Sequence, residues 1–238
     1  LAIDPLQYTT IDTILIHGDV NVSTNFLQHY LGIRIGSAYK ESAIRQISTR
    51  IRELNFIEES APYSVDFALD GTKVNLFLKP RKSNQINGLL GVQQDVAALI
   101  PKYMITADFL LKLKNAFGNG ELIDVTFQNL QKQSPRFNFS GSYPYLFNTK
   151  FAADGLFEIY KKDTAYVNIS AQIGTRYLIN ARDYIGLSYT NQSGRIVSPN
   201  LAQIEATKRL PKEIDFTTQG LQLNVNIDRT NYSRNPSK

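Results

Sequence analysis

From about residue 84 to the C-terminus, apolar and polar residues alternate in stretches of roughly ten. The clearest stretch, residues 165–177, has the sequence AYVNISAQIGTRY, in which almost every odd position is apolar and most even positions are polar. Successive side chains of a β-strand point to opposite faces, so each stretch predicts a strand with one apolar and one polar face. Eight such strands are predicted, at 84–95, 104–115, 120–132, 135–143, 150–161, 164–178, 183–193 and 217–230.

The length of these stretches favours a transmembrane β-barrel. Each is about as long as a tilted strand that crosses a bilayer, and such strands have one lipid-facing side. In the second stretch, Asp108, Lys112 and Lys114 all fall on the same side, opposite the apolar residues. A charge on the lipid side would cost about 2–4 kcal/mol near the membrane midplane. Aromatic residues near strand ends are typical of a membrane-interface girdle, and a soluble sandwich needs few of them. They are Tyr143, Tyr145, Phe147, Tyr160, Tyr177, Tyr184 and Tyr232.

The composition argues against several other classes of protein. No run of eighteen apolar residues is present, so a transmembrane helix is excluded. With no cysteine, the chain has neither a disulfide framework nor a thiolate metal site. Its formal net charge of +5 is spread out rather than clustered, which argues against a nucleic-acid partner. The chain begins at Leu1 without the regions of a signal peptide, so we expect a removed leader or a piece of a longer protein, and favour the piece.

The first eighty residues predict a small α+β module instead. Ser23 and Gly32 are suited to cap the two ends of a short helix. A longer helix follows, because apolar residues recur there at i, i+3, i+4 and i+7. Asp70-Gly71 is a strong hairpin signal between two alternating stretches. The predicted order is β-α-α-β-β, with a strand at 10–16, helices at 24–31 and 40–54, and strands at 63–69 and 73–79.

Connection lengths predict how the strands are oriented. The connections at 115–120, 144–149 and 180–182 are short, whereas those at 96–103 and 194–217 are long. Outer-membrane barrels have short periplasmic turns and longer extracellular loops. If the first strand starts beside the module, all the short turns lie at the module's end of the barrel.

Specific motifs resemble a known family. Gly36-x-x-Tyr39 before the second helix and Leu54-x-Phe56 after it resemble a POTRA domain, a polypeptide-transport-associated module. Three turns, NAFGNGE at 115–121, SYPYLF at 142–147 and NPSK at 235–238, are similar to turns of outer-membrane assembly barrels. Together they resemble the outer-membrane β-barrel assembly superfamily of BamA/TamA type.

The resemblance implies two domains. They are a periplasmic POTRA-like domain at 1–82 and the N-terminal half of an outer-membrane β-barrel at 83–238. The family's barrels have sixteen strands, so eight predicted strands imply a fragment. A closed eight-stranded barrel is the geometric alternative.

The resemblance also implies a function without catalysis or cofactor: binding unfolded outer-membrane proteins by strand pairing and inserting them into the bacterial outer membrane. Partners would be those proteins, periplasmic accessory lipoproteins or chaperones, and outer-membrane lipid. A two-partner-secretion or lipoprotein-translocation pore of the same superfamily is the first alternative. An ordinary porin or a soluble β-rich enzyme is the second. The module argues against a porin, and the lack of an evident nucleophile or metal cluster argues against an enzyme.

Two strand edges are candidate binding sites under this resemblance, because an unpaired edge offers free N–H and C=O groups to another strand. The first is a lateral-gate strand with Asn84, Ile86, Gly88, Leu90 and Gly91. The second is the POTRA edge strand with Tyr63, Val65, Phe67 and Leu69, in which Pro62 removes one donor. Plainer readings remain open: glycines that permit barrel curvature, and an ordinary solvent-facing edge.

Other polar residues predict no separate site. We expect His17 to end a strand and His29 to lie on a helix surface, without the carboxylates that would make a metal site. Residues on the polar side of the barrel strands could form a charge network that stabilises the wet interior. These residues are Arg136, Asp154, Glu158, Arg176 and Asp228.

Overall fold

A computed structural model describes residues 9–68, 71–95, 102–130, 134–162, 166–197 and 215–229. The first part forms the predicted α+β module. Its elements are β1 (Ile11–His17), α1 (Thr24–Leu31), α2 (Glu41–Ile44), α3 (Ile47–Glu53), β2 (Ile57–Ala68) and β3 (Gly71–Pro80). β1 pairs parallel and β2 antiparallel with the central strand β3. No helix in the described ranges is long and apolar enough to cross a membrane.

The first helix has the predicted ends, and the second helix differs from the prediction. The Ser23 hydroxyl accepts a hydrogen bond from the Phe26 N–H, and Gly32 ends α1 in the left-handed conformation. The single helix predicted at 40–54 is instead α2 and α3, separated by a turn at 45–46. Apolar spacing defines which face is buried but does not require a continuous helix. The break keeps Ile44 and Ile47 in the same core.

The strand predicted at 63–69 begins earlier, at Ile57. Pro62 lies within it, and the pairing with β3 shifts register between Glu59 and Ala61 and again between Ala61 and Ser64. These irregularities accommodate a residue that cannot donate to a ladder. Pairing continues to Ala68 and Gly71, and Leu69 and Asp70 lie outside the described residues.

The module has its own hydrophobic core between the helices and one face of the sheet. Its fully buried members come from both layers, which is what the helical and strand periodicities require. They include Ile11, Leu27, Leu31, Ile47, Ile51, Ile57, Val74, Leu76 and Leu78. Tyr145, from the second part of the chain, also belongs to this cluster.

The second part forms one antiparallel sheet of eight strands, the number predicted. They are β4 (Gln85–Asp95), β5 (Lys102–Lys114), β6 (Leu122–Asn129), β7 (Arg136–Tyr143), β8 (Phe151–Lys162), β9 (Tyr166–Leu178), β10 (Tyr184–Ile196) and β11 (Phe216–Asn226). Each strand pairs with the next in the chain. Within the described residues the sheet does not close on itself, and β4 and β11 are its two edges. The eight described strands therefore do not form the closed eight-stranded barrel of the geometric alternative.

The register of this sheet places most of the apolar residues of the eight described strands on one face. Residues directly opposite each other on paired strands share a face. One such row runs Phe109, Phe127, Phe137, Ile159, Ile169. Many apolar side chains on this face are more than a third exposed, including Ile105, Ile173, Leu187, Leu221 and Leu223.

Only part of the predicted aromatic girdle lies on the apolar face. Tyr143 and Tyr177 do, in register with Ala153 and Ile185. Tyr160 and Tyr184 instead lie on the polar face, under the guanidinium groups of Arg136 and Arg176 at 4.9 and 5.1 Å. Of the remaining members, Tyr145 is buried against the module, Phe147 is exposed on a turn, and Tyr232 lies outside the described residues.

Candidate functional site

The turn between β5 and β6 is organised around a buried carboxylate. Glu121 is 2% exposed, and its carboxylate accepts hydrogen bonds from the backbone N–H groups of Phe117 and Asn119. Gly118 and Gly120 have left-handed φ angles of 85° and 74°, a conformation that suits glycine. A buried charge needs such donors, so Glu121 fixes the shape of the turn.

That turn binds the segment that precedes α1. Asn115 donates from its side-chain amide to the Asn21 carbonyl at 2.6 Å and accepts from the Gly120 N–H at 2.8 Å. The Ser23 N–H donates to the Gly118 carbonyl at 2.7 Å. The module is thus bound to the first short turn of the large sheet by hydrogen bonds from both backbone and side-chain groups.

The turn between β7 and β8 inserts an aromatic ring into the module. The Tyr145 ring lies 5.8 Å from that of Phe26 and stacks on His29 at 5.0 Å. Burial raises the pKa of Tyr145 to about 12, and the nearby positive charge of Arg50 offsets part of this rise. His29 also contacts Asn148 Oδ1 through Nε2, at 2.9 Å. His29 is therefore part of the junction rather than the free surface residue predicted from the sequence.

The turn between β9 and β10 carries an ion pair to the module. The Arg182 guanidinium donates a hydrogen bond to the Glu53 carboxylate at the end of α3. Both side chains are largely buried, and this bond is the main reason that the pKa of Arg182 is raised. Arg182 also lies 3.9 Å from Asp228, just beyond β11. The N–H of Asp228 donates to Asp183 at 2.8 Å, which lowers the pKa of that carboxyl group.

The three short turns and the module therefore meet at one end of the sheet, as the sequence predicts. Among the described residues, this junction forms a half-open polar pocket of about 370 Å³ next to Arg50, Glu53, Arg182 and Asp228. The sequence indicates only one side of these contacts. Asn115, Glu121 and Tyr145 belong to the turn motifs, but nothing local identifies Phe26, His29 or Glu53 as their partners.

The predicted lateral-gate residues lie on or beside an edge strand. β4 pairs with β5 on one side and with no described strand on the other. Asn84 precedes it, and its side-chain carbonyl accepts the Lys114 N–H at 2.7 Å. Ile86 and Leu90 are 69% and 81% exposed. Gly88 faces Phe109 in register, and Gly91 faces Thr106.

The predicted POTRA edge strand also lies at an edge, since β2 is the outer strand of the module's sheet. Tyr63 and Val65 pack against the core, so this edge presents backbone groups rather than those two side chains. Phe67 is 62% exposed and contacts Tyr39 edge to face at 5.2 Å. Leu69 lies outside the described residues.

The predicted charge network is divided into separate clusters. Arg176 binds Asp154 through two hydrogen bonds of 2.6 and 2.7 Å and donates to Ser142 at 2.7 Å. Asp228 lies in the junction with Arg182 instead. Arg136 stacks on Tyr160, and Glu158 faces Asn138 and Ser170 in register. No cluster of three or more His, Cys, Asp or Glu residues that could hold a metal is found in the described ranges.

Comparison with known proteins gives structural similarity alone. No protein-family model and no curated protein matches the chain. BamA from Haemophilus ducreyi lacking POTRA domains 1–3 is similar over 98% of this chain and 47% of its own, with a TM-score of 0.49 and 16% identity. CdiB from Acinetobacter baumannii is similar over 91% of this chain and 42% of its own, with a TM-score of 0.49 and 12% identity.

Similarity at this level of identity concerns the fold and not the activity. The chain spans less than half the length of either structure.

Proposed function

We propose that this chain is part of a bacterial outer-membrane protein that binds unfolded outer-membrane proteins at a strand edge and inserts them into the membrane. Residues 1–82 would be a periplasmic POTRA-like domain, and residues 83–238 the first eight strands of a larger barrel. The observation that carries the proposal is the edge strand β4, which no described strand pairs on one side and which lies in a sheet with a mainly apolar face.

The apolar face supports a membrane setting. Exposed apolar side chains lie on this face in seven of the eight described strands, far more than a soluble monomer leaves in contact with water. The opposite face carries paired charges such as Arg176 with Asp154. This is the distribution of a barrel wall between lipid and a wet lumen.

The edge itself supports strand pairing. Unpaired N–H and C=O groups are costly in lipid, so an open edge there needs a partner strand. β11 would continue into the remaining strands of the barrel. β4 would form the seam with the last of them, and its glycines give few side-chain contacts to hold that seam shut. An incoming strand could then replace the last strand by β-augmentation.

The module would sit on the periplasmic side, because it is docked on the short turns. The free side of β2 offers a second place for strand addition. Accessory lipoproteins or chaperones would bind on this side, and the apolar face would contact outer-membrane lipid.

Cysteine crosslinking in the full-length protein tests the proposal. The chain has no cysteine of its own, so single cysteines can be placed at each position from Asn84 to Asp95 once any cysteine elsewhere in the full-length protein is replaced by serine. A newly exported outer-membrane protein would carry one cysteine in its C-terminal strand. Phe139→Cys, in β7, is a matched control because that strand is paired on both sides.

The expected result is a set of adducts along β4 that alternate with the strand period, with none at Phe139. Adducts only with a soluble passenger, from cysteines on the polar face, would favour secretion through the lumen instead. Normal assembly without any adduct along β4 would contradict strand pairing at this edge.

A further inference from the structure

Charge interrupts the apolar face of the large sheet at two positions. Within the eight described strands, Lys161 in β8 and Arg195 in β10 are the only charged residues on that face. The other charged side chains described in these strands lie on the polar face: Asp108, Lys112, Lys114, Asp124, Arg136, Asp154, Glu158, Lys162 and Arg176. Two cations on a face that carries no other charge within the strands call for a physical reason.

The two residues belong to the same row. Lys161 lies opposite Val167 of β9, and Val167 lies opposite Arg195 of β10. Neighbouring strands are about 4.8 Å apart, so the two backbones are separated by about 10 Å. Each of the two side chains can extend by about 6 Å, which is about the length of a lysine stem. Their charged ends can therefore meet over Val167. Neither side chain forms a hydrogen bond or ion pair with another residue in the described ranges.

The position of the row matches one border of a membrane. Phe151 and Tyr177 form an edge-to-face pair, 5.3 Å between ring centres, at the module end of the apolar face. Lys161 is ten residues further along β8, or about 33 Å along the strand. At a tilt of about 40°, this is about 25 Å along the membrane normal, the height of the apolar band of an outer-membrane barrel.

The residues next to Lys161 and Arg195 on this face also change from apolar to polar at this position. Lys161 follows Ile159, the last apolar residue of β8 on this face, and Arg195 follows Asn191 and Ser193 in β10. The aromatic pair would lie at one lipid–water interface and the two cations at the other. Asp215, just before β11, continues the register opposite Arg195, and its carboxylate accepts the Ile196 N–H at 2.7 Å. With two cations and one carboxylate, the row keeps a net positive charge.

We propose that Lys161 and Arg195 bind the phosphate of an anionic lipid headgroup in the leaflet opposite the docked module. The Arg195 guanidinium can hold two phosphate oxygens with its fork of donors, and the Lys161 ammonium adds a point charge. The stem of each side chain covers apolar surface below while its charged head reaches the headgroup layer. This site rests on the proposed membrane setting and adds a lipid contact that the strand-pairing function does not require.

The test uses the full-length protein reconstituted into vesicles of phosphatidylcholine alone or with phosphatidylglycerol, followed by native mass spectrometry of the retained lipid. The double variant Lys161→Gln/Arg195→Gln removes the pair. The control Arg136→Gln/Lys162→Gln also removes one arginine and one lysine, at the same height of the sheet but on the polar face.

We expect the Lys161→Gln/Arg195→Gln variant to retain about 5- to 30-fold less phosphatidylglycerol than the wild type, at low salt, with retention of phosphatidylcholine unchanged. The control variant should retain as much phosphatidylglycerol as the wild type. Equal losses in both double variants, or no loss in either, would overturn the site while leaving membrane insertion intact. If the wild type fails to insert into vesicles of either composition, the membrane proposal fails together with the site.

Discussion

Glu53, the last residue of α3, accepts a hydrogen bond from Arg182, which lies 129 residues later in the chain. The side chains are 10% and 21% exposed, so little water is left to screen the pair. Arg182 approaches Asp228 as well, and its carbonyl accepts a hydrogen bond from Asn226 at the end of β11. One arginine therefore links the module to the end of an edge strand of the large sheet.

Removing either member of this pair should loosen the module. Glu53→Gln and Arg182→Gln each leave a partly buried charge without its main partner, and hydrogen bonds to charged groups contribute about 1.5–3 kcal/mol. We expect faster amide hydrogen exchange in α3 and in residues 179–183, measured by mass spectrometry. The double variant should exchange about as fast as either single variant, because both changes remove the same interaction.

A matched control is the ion pair of Glu58 and Lys79, whose charged atoms are 3.0 Å apart. Both side chains are about half exposed. Exposed ion pairs contribute about 1 kcal/mol or less. Glu58→Gln should therefore leave exchange in α3 unchanged. Additive effects of the two junction substitutions would show that Glu53 and Arg182 act independently.

High pH should undock the module through its buried tyrosines. The pKa of Tyr145 is raised to about 12, and that of Tyr30 is raised further, by burial first and then by Glu53. Below pH 10 the stabilisation is fully present. Above pH 10 the unfolded chain loses a proton that the docked Tyr145 keeps, so stability falls by about 2–3 kcal/mol up to about pH 12.

This pH dependence can be followed by tyrosinate absorbance near 295 nm together with hydrogen exchange in α1. Tyr145→Phe removes the ionisable group and should weaken the alkaline loss of protection. Tyr103→Phe, at a side chain that is 70% exposed, should leave the transition as in the wild type. An identical alkaline profile for Tyr145→Phe and the wild type would rule out Tyr145 as the cause.

Gly120→Ala should disrupt the junction sterically. A Cβ atom at Gly120 would lie 2.1 Å from Cε2 of Phe26, and the left-handed φ of 74° disfavours any side chain. The conformation costs about 1–2 kcal/mol and the overlap about 1–3 kcal/mol more. We expect increased protease cleavage before α1. A Cβ atom at Gly155 would have no atom within 4 Å, so the Gly155→Ala variant should be cleaved at the same rate as the wild type. Equal cleavage of the Gly120→Ala and Gly155→Ala variants would contradict the packing of Gly120 against Phe26.

The sequence predicts the strands and their faces well because both depend on local periodicity. An alternation with period two marks a strand and also sorts its side chains, so the eight strands and the shared apolar face could be predicted together. The ends of α1 could be predicted for a similar reason, since Ser23 and Gly32 act on residues within one turn.

The junction depends on distant pairs, which is why most of it could not be predicted. Glu53 and Arg182 look like ordinary surface charges in the sequence, and His29 looks like a free histidine. Their roles arise only when the module packs on the turns. The break in the second helix is missed for another reason: apolar spacing is the same for one helix or two that share a buried face.

The two faces of β7 provide the sharpest test of the membrane setting. Phe139 and Asn138 are neighbours in the chain but point to opposite faces, and Phe139 lies in register with Val125 and Phe157, midway along the apolar rows. Phe139→Lys should reduce the stability of the protein folded in phospholipid vesicles by about 2–4 kcal/mol, because it places a charge near the midplane. Asn138→Lys adds the same charge to the polar face and should fold normally. Both can be measured by urea titration in vesicles, with folded protein identified by its altered gel mobility before heating. If both variants fold equally well, the apolar face does not contact lipid.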